Sequence, residues 1–177
     1  METKEVKQDI SQEAKKIGIF HTIQMILLML TAFLALFIPI VRLPMEFSLV
    51  EGGSLSVLNF VLNQEGSMKM VGYYWIILLA LSLVLSINPM TGAISLCKPN
   101  VDFRKFYAYK KVQAVSGLLL LVFFLSIYFF AECTTYALSG GFWVLVVLLG
   151  VILIFSYFTI GEETKIEKKV FGELPKK

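Results

Sequence analysis

Four long apolar runs without a charged side chain constrain this chain more than any other feature of its sequence. They cover residues 17–41, 71–96, 112–131 and 142–160. The hydrocarbon core of a bilayer is about 30 Å thick and is crossed by about 20 helical residues, a length that every run reaches. Strands of a membrane barrel would alternate polar and apolar residues, which these runs do not do. The sequence therefore predicts four transmembrane helices.

The overall composition excludes a soluble domain and a disordered chain. Of the 177 residues, 57% are apolar and 16% are charged, against about 45–50% and about 25% in soluble domains. A soluble chain of this length has too little interior volume to bury so much apolar surface, and disordered segments are poor in aromatic and aliphatic residues. We therefore expect an all-α integral membrane protein. Short second and third connections favour an antiparallel bundle of its four helices.

A proline lies near the end of the second apolar run. To complete a crossing, the helix over residues 71–96 must continue through Asn88 and Pro89. Proline removes one backbone donor and clashes with the preceding turn, so we expect a kink near Pro89.

In the predicted topology, almost all basic residues lie on one side of the membrane. The N-terminal segment 1–16, the loop 97–111 and the tail 161–177 hold four, five and five of the 16 Lys and Arg residues. Because cytoplasmic loops carry an excess of Lys and Arg, we expect both termini in the cytoplasm and residues 42–70 and 132–141 outside. The predicted location is the plasma membrane. The excess of Lys over Arg favours the inner membrane of a bacterium.

The first outer loop, residues 42–70, has room for structure of its own. Residues 46–50 and 54–58 alternate in polarity on either side of Gly52-Gly53, a pattern typical of a short β-hairpin; an amphipathic segment is the alternative. The apolar side chains of this loop either bind a partner or pack on the chain's own bundle. The candidate partner surface comprises Phe47, Leu49, Leu55, Val57 and Phe60.

The loop 97–111 combines basic and aromatic residues. Its cations would suit anionic lipid headgroups, although the excess of positive charge on the cytoplasmic side accounts for the same residues. A short loop that is held at both ends against the bilayer is poorly placed to contact nucleic-acid bases, so no nucleic-acid partner is expected. The candidate headgroup contacts are Lys98, Arg104, Lys105, Lys110 and Lys111.

Residues with catalytic or metal-binding chemistry are scarce. The chain has one histidine, and its two cysteines, Cys97 and Cys133, fall on opposite sides of the predicted membrane. No phosphate-binding glycine loop occurs, and no carboxylate lies deep in a crossing, where proton-coupled carriers place ionisable residues. We therefore expect no enzymatic activity, no cofactor and no metal site.

Polar residues inside the predicted helices concentrate in the cytoplasmic half. They either hydrogen-bond to one another and fix the bundle or line a hydrated vestibule that several copies could complete as a pore. The cluster comprises His21, Gln24, Ser86, Asn88, Gln113 and Ser116.

Two functions from different classes follow from these features. The first is a non-enzymatic multi-pass membrane protein that acts by protein–protein interaction, as an accessory or regulatory subunit or as an immunity-type protector. The alternative is a homo-oligomeric channel or pore-forming membrane effector. Besides the lipid bilayer, the expected partners are another membrane or extracellular protein, or further copies of the chain.

Overall fold

A computed structural model describes the backbone of residues 2–43, 53–98 and 103–171, and the side chains of residues 12–43, 53–98 and 109–157. Most of the described chain is helical. The helices are α1 (Glu2–Phe37), α2 (Val57–Asn63), α3 (Gly66–Leu96), α4 (Phe103–Cys133) and α5 (Gly140–Phe171). The strands are β1 (Val41–Arg42), β2 (Ser54–Leu55) and β3 (Ala137–Leu138).

Four of these helices are long and apolar enough to cross a membrane, the number that the sequence predicts. The candidate spans are Gln12–Phe37, Gly66–Leu96, Tyr109–Cys133 and Gly140–Tyr157. Each span exposes large apolar side chains along its outer face, as Phe33, Val84, Leu118 and Val147 do. Such faces suit a hydrocarbon environment.

Three helices extend well beyond their apolar runs. α1 begins at Glu2, α4 begins at Phe103 and α5 ends at Phe171. Residues 103–111, predicted to be part of a loop, are therefore the first turns of α4. Hydropathy reports the length that can cross a membrane and not the length of the helix. Arg, Lys and Ala are good helix formers, and neither Gly nor Pro interrupts this segment.

The long helices pack side by side in the order α4, α3, α1 and α5. α1 packs along α3 and α5, and α3 packs along α4. Contacts join the first part of one apolar run to the last part of its neighbour: Gly18 of α1 lies against Ala93 of α3, and Trp75 of α3 contacts Phe130 of α4. α3 continues through Pro89, which is buried; the bend expected there stays a prediction.

A three-stranded sheet covers one end of the bundle, called the sheet end below; the opposite end, where Lys98, Lys110 and Lys111 lie, is called the basic end. The strand order is β2-β1-β3, and both pairings are antiparallel. Val41 lies opposite Leu55 on one side and Leu138 on the other. The sheet therefore ties the end of α1 to the connections that precede α2 and α5.

The predicted hairpin around Gly52-Gly53 differs from this arrangement. Ser54–Leu55 pairs with Val41–Arg42, while residues 46–50 lie outside the described residues. Val57 and Leu58, which the alternating pattern placed in a strand, begin α2 instead. Ser56 is the reason, because its hydroxyl accepts a hydrogen bond from the Asn59 amide (3.3 Å) and caps the helix.

Aromatic side chains fill the space between α2 and the transmembrane helices. Phe60 of α2 lies 5.0 Å from Trp75 and 5.6 Å from Phe130, measured between ring centroids. Leu55, Val57 and Phe60 are all buried in this core. These three residues therefore pack on the chain's own bundle and do not form the partner surface considered from the sequence. Phe47 and Leu49, the other candidates, lie outside the described residues.

Tyr136 links the aromatic core to the end of α2 and gives the sheet end a pH dependence. Its hydroxyl donates a hydrogen bond to Gln64 Oε1 (3.0 Å), and burial raises the pKa of the Tyr136 phenol above its ordinary value of about 10. The folded state therefore favours the neutral phenol. This stabilising contribution is complete below pH of about 10 and is lost as the pH rises through the raised pKa.

We expect thermal stability in detergent to fall between pH 9 and pH 11 in the wild type, and to fall less in Tyr136→Phe. The phenylalanine variant removes the titrating group, and at pH 8 the lost hydrogen bond costs about 1 kcal/mol. Melting curves of both proteins across this range measure the difference. Parallel loss of stability in both proteins would contradict the role given to Tyr136.

Candidate ligand-binding cleft

A cleft lies between α4 and α5, with α1 as its floor. α5 packs along α1 whereas α4 packs along α3, so the two helices leave a gap toward the basic end. Its volume is about 360 Å³. Toward the sheet end, Phe124 of α4 meets Phe142 of α5 in an edge-to-face contact, with ring centroids 5.8 Å apart. The cleft is therefore a wedge that is wide at the basic end.

The lining of the cleft changes from apolar to polar along its length. The wall toward the sheet end is apolar and includes Leu28, Leu121, Leu149 and Ile152. The polar end is formed by His21, Gln24, Lys110, Gln113 and Ser156. An apolar groove with a few polar groups gathered at one end is typical of sites for amphiphilic ligands.

Gly117 of α4 keeps the middle of the cleft open. A Cβ atom at this position would lie 4.0 Å from Leu28 Cδ1, an ordinary van der Waals distance. A methyl group would therefore fit, while a larger side chain would extend into the cleft.

Hydrogen bonds connect the three helices at the polar end. Gln113 Nε2 lies 3.2 Å from His21 Nδ1; because an amide nitrogen only donates, the ring nitrogen is the acceptor. The Gln24 amide donates to the Ser156 hydroxyl. The Ser156 proton is directed to the carbonyl of Ile152 (3.1 Å).

The side chain of Gln24 carries a buried oxygen, Oε1, that is not hydrogen-bonded to any described residue. The side chain is 4% exposed. Buried polar atoms are nearly always bonded, and an unsatisfied one costs about 1–3 kcal/mol. Because the Gln24 side chain lines the cleft, its unsatisfied oxygen is a candidate acceptor for a donor group of a ligand.

The structure divides the polar cluster predicted from the sequence. His21, Gln24 and Gln113 come together at the cleft. Ser86 and Ser116 instead lie between α3 and α4, with their hydroxyl oxygens 2.7 Å apart. Asn88 is on an exposed face of α3.

The two serines belong to a buried set that includes Ser82. Ser116 Oγ donates to the Ser82 carbonyl (2.8 Å), and Ser86 Oγ donates to the same carbonyl (2.7 Å). All three side chains are fully buried. The interpretation that polar residues bond to one another and fix the bundle thus fits these serines, whereas the cleft residues border open space.

The candidate headgroup residues are distributed around the basic end. Lys98 and Lys111 are exposed, whereas Lys110 is half-buried and lines the cleft. The side chains of Arg104 and Lys105 lie outside the described residues.

Ser156 and Gly117 were not among the candidate site residues predicted from the sequence. A serine near the end of the fourth apolar run is a weak signal. Gly117 has none, because its apolar surroundings resemble those of Gly150. Among the described residues, no group of three or more His, Cys, Asp or Glu could hold a metal ion.

Comparison with protein-family models, with curated proteins and with solved structures finds no match to this chain. Function is therefore inferred from the cleft and from the sequence.

Proposed function

We propose that this chain is a non-enzymatic multi-pass membrane protein that works by binding, and that its cleft takes up an amphiphilic molecule from the bilayer. The observation that carries this proposal is Gln24, whose side chain lines the cleft and whose Oε1 is a buried acceptor without a partner among the described residues. The polar and apolar zones of the cleft match the two parts of an amphiphile. Because the wall is formed by candidate membrane-spanning segments, a ligand would enter sideways from the lipid.

We further propose that the chain lies in a plasma membrane with its basic end in the cytoplasm. The distribution of Lys and Arg supports this orientation. Phospholipid headgroups of the cytoplasmic leaflet would then lie at the level of Lys110, so a lipid of that leaflet could enter the cleft without turning over.

Filling the cleft is expected to weaken binding. In Gly117→Leu the larger side chain occupies the space beside Leu28, and we expect about a tenfold loss of labelling by a diazirine-bearing single-chain lipid, since overpacking costs about 1–3 kcal/mol. Photolabelling of the purified full-length protein, followed by mass spectrometry, measures the loss.

Two variants control for the substitution itself. Gly117→Ala adds a methyl group that fits, and Gly150→Leu adds the same large side chain to α5 where a Cβ atom would meet nothing within 4 Å. Both are expected to label as the wild type does. Equal labelling of Gly117→Leu and Gly150→Leu would contradict the proposed function.

The accessory or immunity-type role and the homo-oligomeric pore stay predictions from the sequence. A pore requires conductance or dye release from vesicles that contain the purified protein. A binding protein is expected to give neither above the background of empty vesicles.

A further inference from the structure

We propose that the cleft selects a single-chain lipid with an anionic headgroup and a free hydroxyl next to that headgroup, as in a lysophospholipid. This inference rests on the proposed function, in which the cleft binds an amphiphile. It follows from the order of polar groups along the cleft, from the hydrogen-bonding state of Gln24, and from the size of the apolar part.

The polar groups lie at different distances from the basic end of the cleft. Lys110 lies at the basic end of the cleft, two residues before the apolar run over residues 112–131 begins. Gln24 follows His21 by three residues on α1 and lies about 4.5 Å further toward the sheet end. A lipid phosphate beside Lys110 would therefore place the groups that join headgroup and tail near Gln24.

Gln24 requires a donor from its ligand. The Ser156 proton is directed to the Ile152 carbonyl, so Ser156 accepts the Gln24 amide and Oε1 remains an acceptor. The ester oxygens of a diacyl lipid only accept, and its glycerol backbone has no donor. A lysophospholipid has a free hydroxyl at this level. If the oxygen and nitrogen of the Gln24 amide were exchanged, the group without a partner would be a donor. A hydroxyl both donates and accepts, so it would satisfy Gln24 in either orientation.

The apolar part of the cleft suits one acyl chain. Its volume of about 360 Å³ is near the lower limit of clefts that bind small molecules, which is about 300 Å³. From Gln113 to the contact of Phe124 with Phe142, α4 rises about 16 Å. The tail would lie along Leu121 and Leu149 and end at the two phenylalanines.

The test compares three probes with the same acyl chain. They are lysophosphatidic acid, its 2-deoxy analogue without the hydroxyl, and lysophosphatidylcholine, whose headgroup is zwitterionic. Native mass spectrometry of the full-length protein in a neutral detergent measures the bound fraction of each. We expect lysophosphatidic acid to bind about fivefold more tightly than the deoxy analogue, the effect of one hydrogen bond. The same preference is expected over lysophosphatidylcholine, from one well-placed cation.

Two variants connect each preference to its residue. Gln24→Met keeps a side chain of similar length and is expected to lose the preference for the hydroxyl while keeping the preference for negative charge. Lys110→Gln is expected to lose the preference for negative charge while keeping the preference for the hydroxyl. Melting temperatures of both variants verify that the fold is retained.

The outcomes separate this inference from the proposed function. Equal binding of the three probes in the wild type, weakened for all three by Gly117→Leu, would overturn the inference and leave the proposed function standing. Binding that Gly117→Leu leaves unchanged would overturn both. Preferences that survive in Gln24→Met and in Lys110→Gln would also overturn the inference.

Discussion

Replacement of Trp75 by alanine is expected to lower the free energy of unfolding by about 4 kcal/mol, the range measured for large aromatic residues in cores. Trp75 is fully buried. Its ring centroid lies 5.0 Å from that of Phe60 and 5.2 Å from that of Phe130, the latter in an edge-to-face arrangement. Removal of the indole would leave a cavity between α2, α3 and α4 and would remove two aromatic pairs, each of which contributes about 0.5–1.5 kcal/mol beyond the area that it buries. Unfolding in detergent, followed by circular dichroism, measures the loss.

Trp143 provides the matched control, because it is 54% exposed. Although it contacts Phe142, with ring centroids 5.4 Å apart, more than half of its side chain is exposed, so its removal leaves a smaller cavity than that of Trp75. Trp143→Ala is expected to cost less than about 1 kcal/mol. Equal losses from the two tryptophans would mean that the sheet end is not packed as described.

The second large effect is expected at Gly18, where α1 lies close against α3. A Cβ atom at this position would lie 2.8 Å from the Ala93 carbonyl oxygen, 2.9 Å from Leu96 Cβ and 2.9 Å from Cys97 Sγ. The first two atoms belong to the backbone or to its immediate attachment and cannot rotate away. Gly18→Leu must therefore move α1 away from α3, and we expect a loss of about 3 kcal/mol in the free energy of unfolding.

Gly150→Leu is the control for this substitution as well. Position 150 lies in α5, and a Cβ atom there would meet nothing within 4 Å. Since leucine is a better helix former than glycine by about 0.5–1 kcal/mol, this variant is expected to be as stable as the wild type or slightly more stable. If Gly18→Leu melts at the same temperature as Gly150→Leu, the close packing of α1 against α3 described here would be contradicted.

The sequence was sufficient to predict four helices that could cross a bilayer, because this ability depends on length and local composition alone. Each predicted run falls almost entirely within one helix of the structure. The ends of the helices were not predictable in the same way, since Phe103–Lys111 is helical without being apolar. Hydropathy contains no information on a helix that continues into water.

The sheet could not be predicted from local patterns. Each strand has two residues, too few to establish a period, and β1 finds its partners in segments that are far away in sequence. The alternation over residues 54–58 predicted a longer strand, but the cap provided by Ser56 decided in favour of a helix at Val57. Tertiary pairing and capping therefore outweighed the local pattern.

The site was predictable in part. Polar residues in apolar helices are few, so His21, Gln24 and Gln113 were identifiable as a group, and they do meet. Ser86 and Ser116 were placed in the same group, because the sequence does not give the rotation of each helix about its axis. The cleft itself arises from α4 and α5 packing on different neighbours, which is a property of the whole bundle.

The most direct test of the proposed membrane crossings uses one thiol at the sheet end of the bundle and one at the basic end. Cys133 is exposed at the end of α4 nearest the sheet end, and Cys97→Ser leaves it as the chain's one thiol. A second variant combines Cys97→Ser and Cys133→Ser with Lys98→Cys, an exposed position at the basic end. The account predicts that a membrane-impermeant maleimide labels Cys133 on intact cells, and labels the thiol at position 98 only after the membrane is permeabilised. Labelling at position 98 on intact cells would contradict the orientation, and equal labelling of both positions would contradict the crossings themselves.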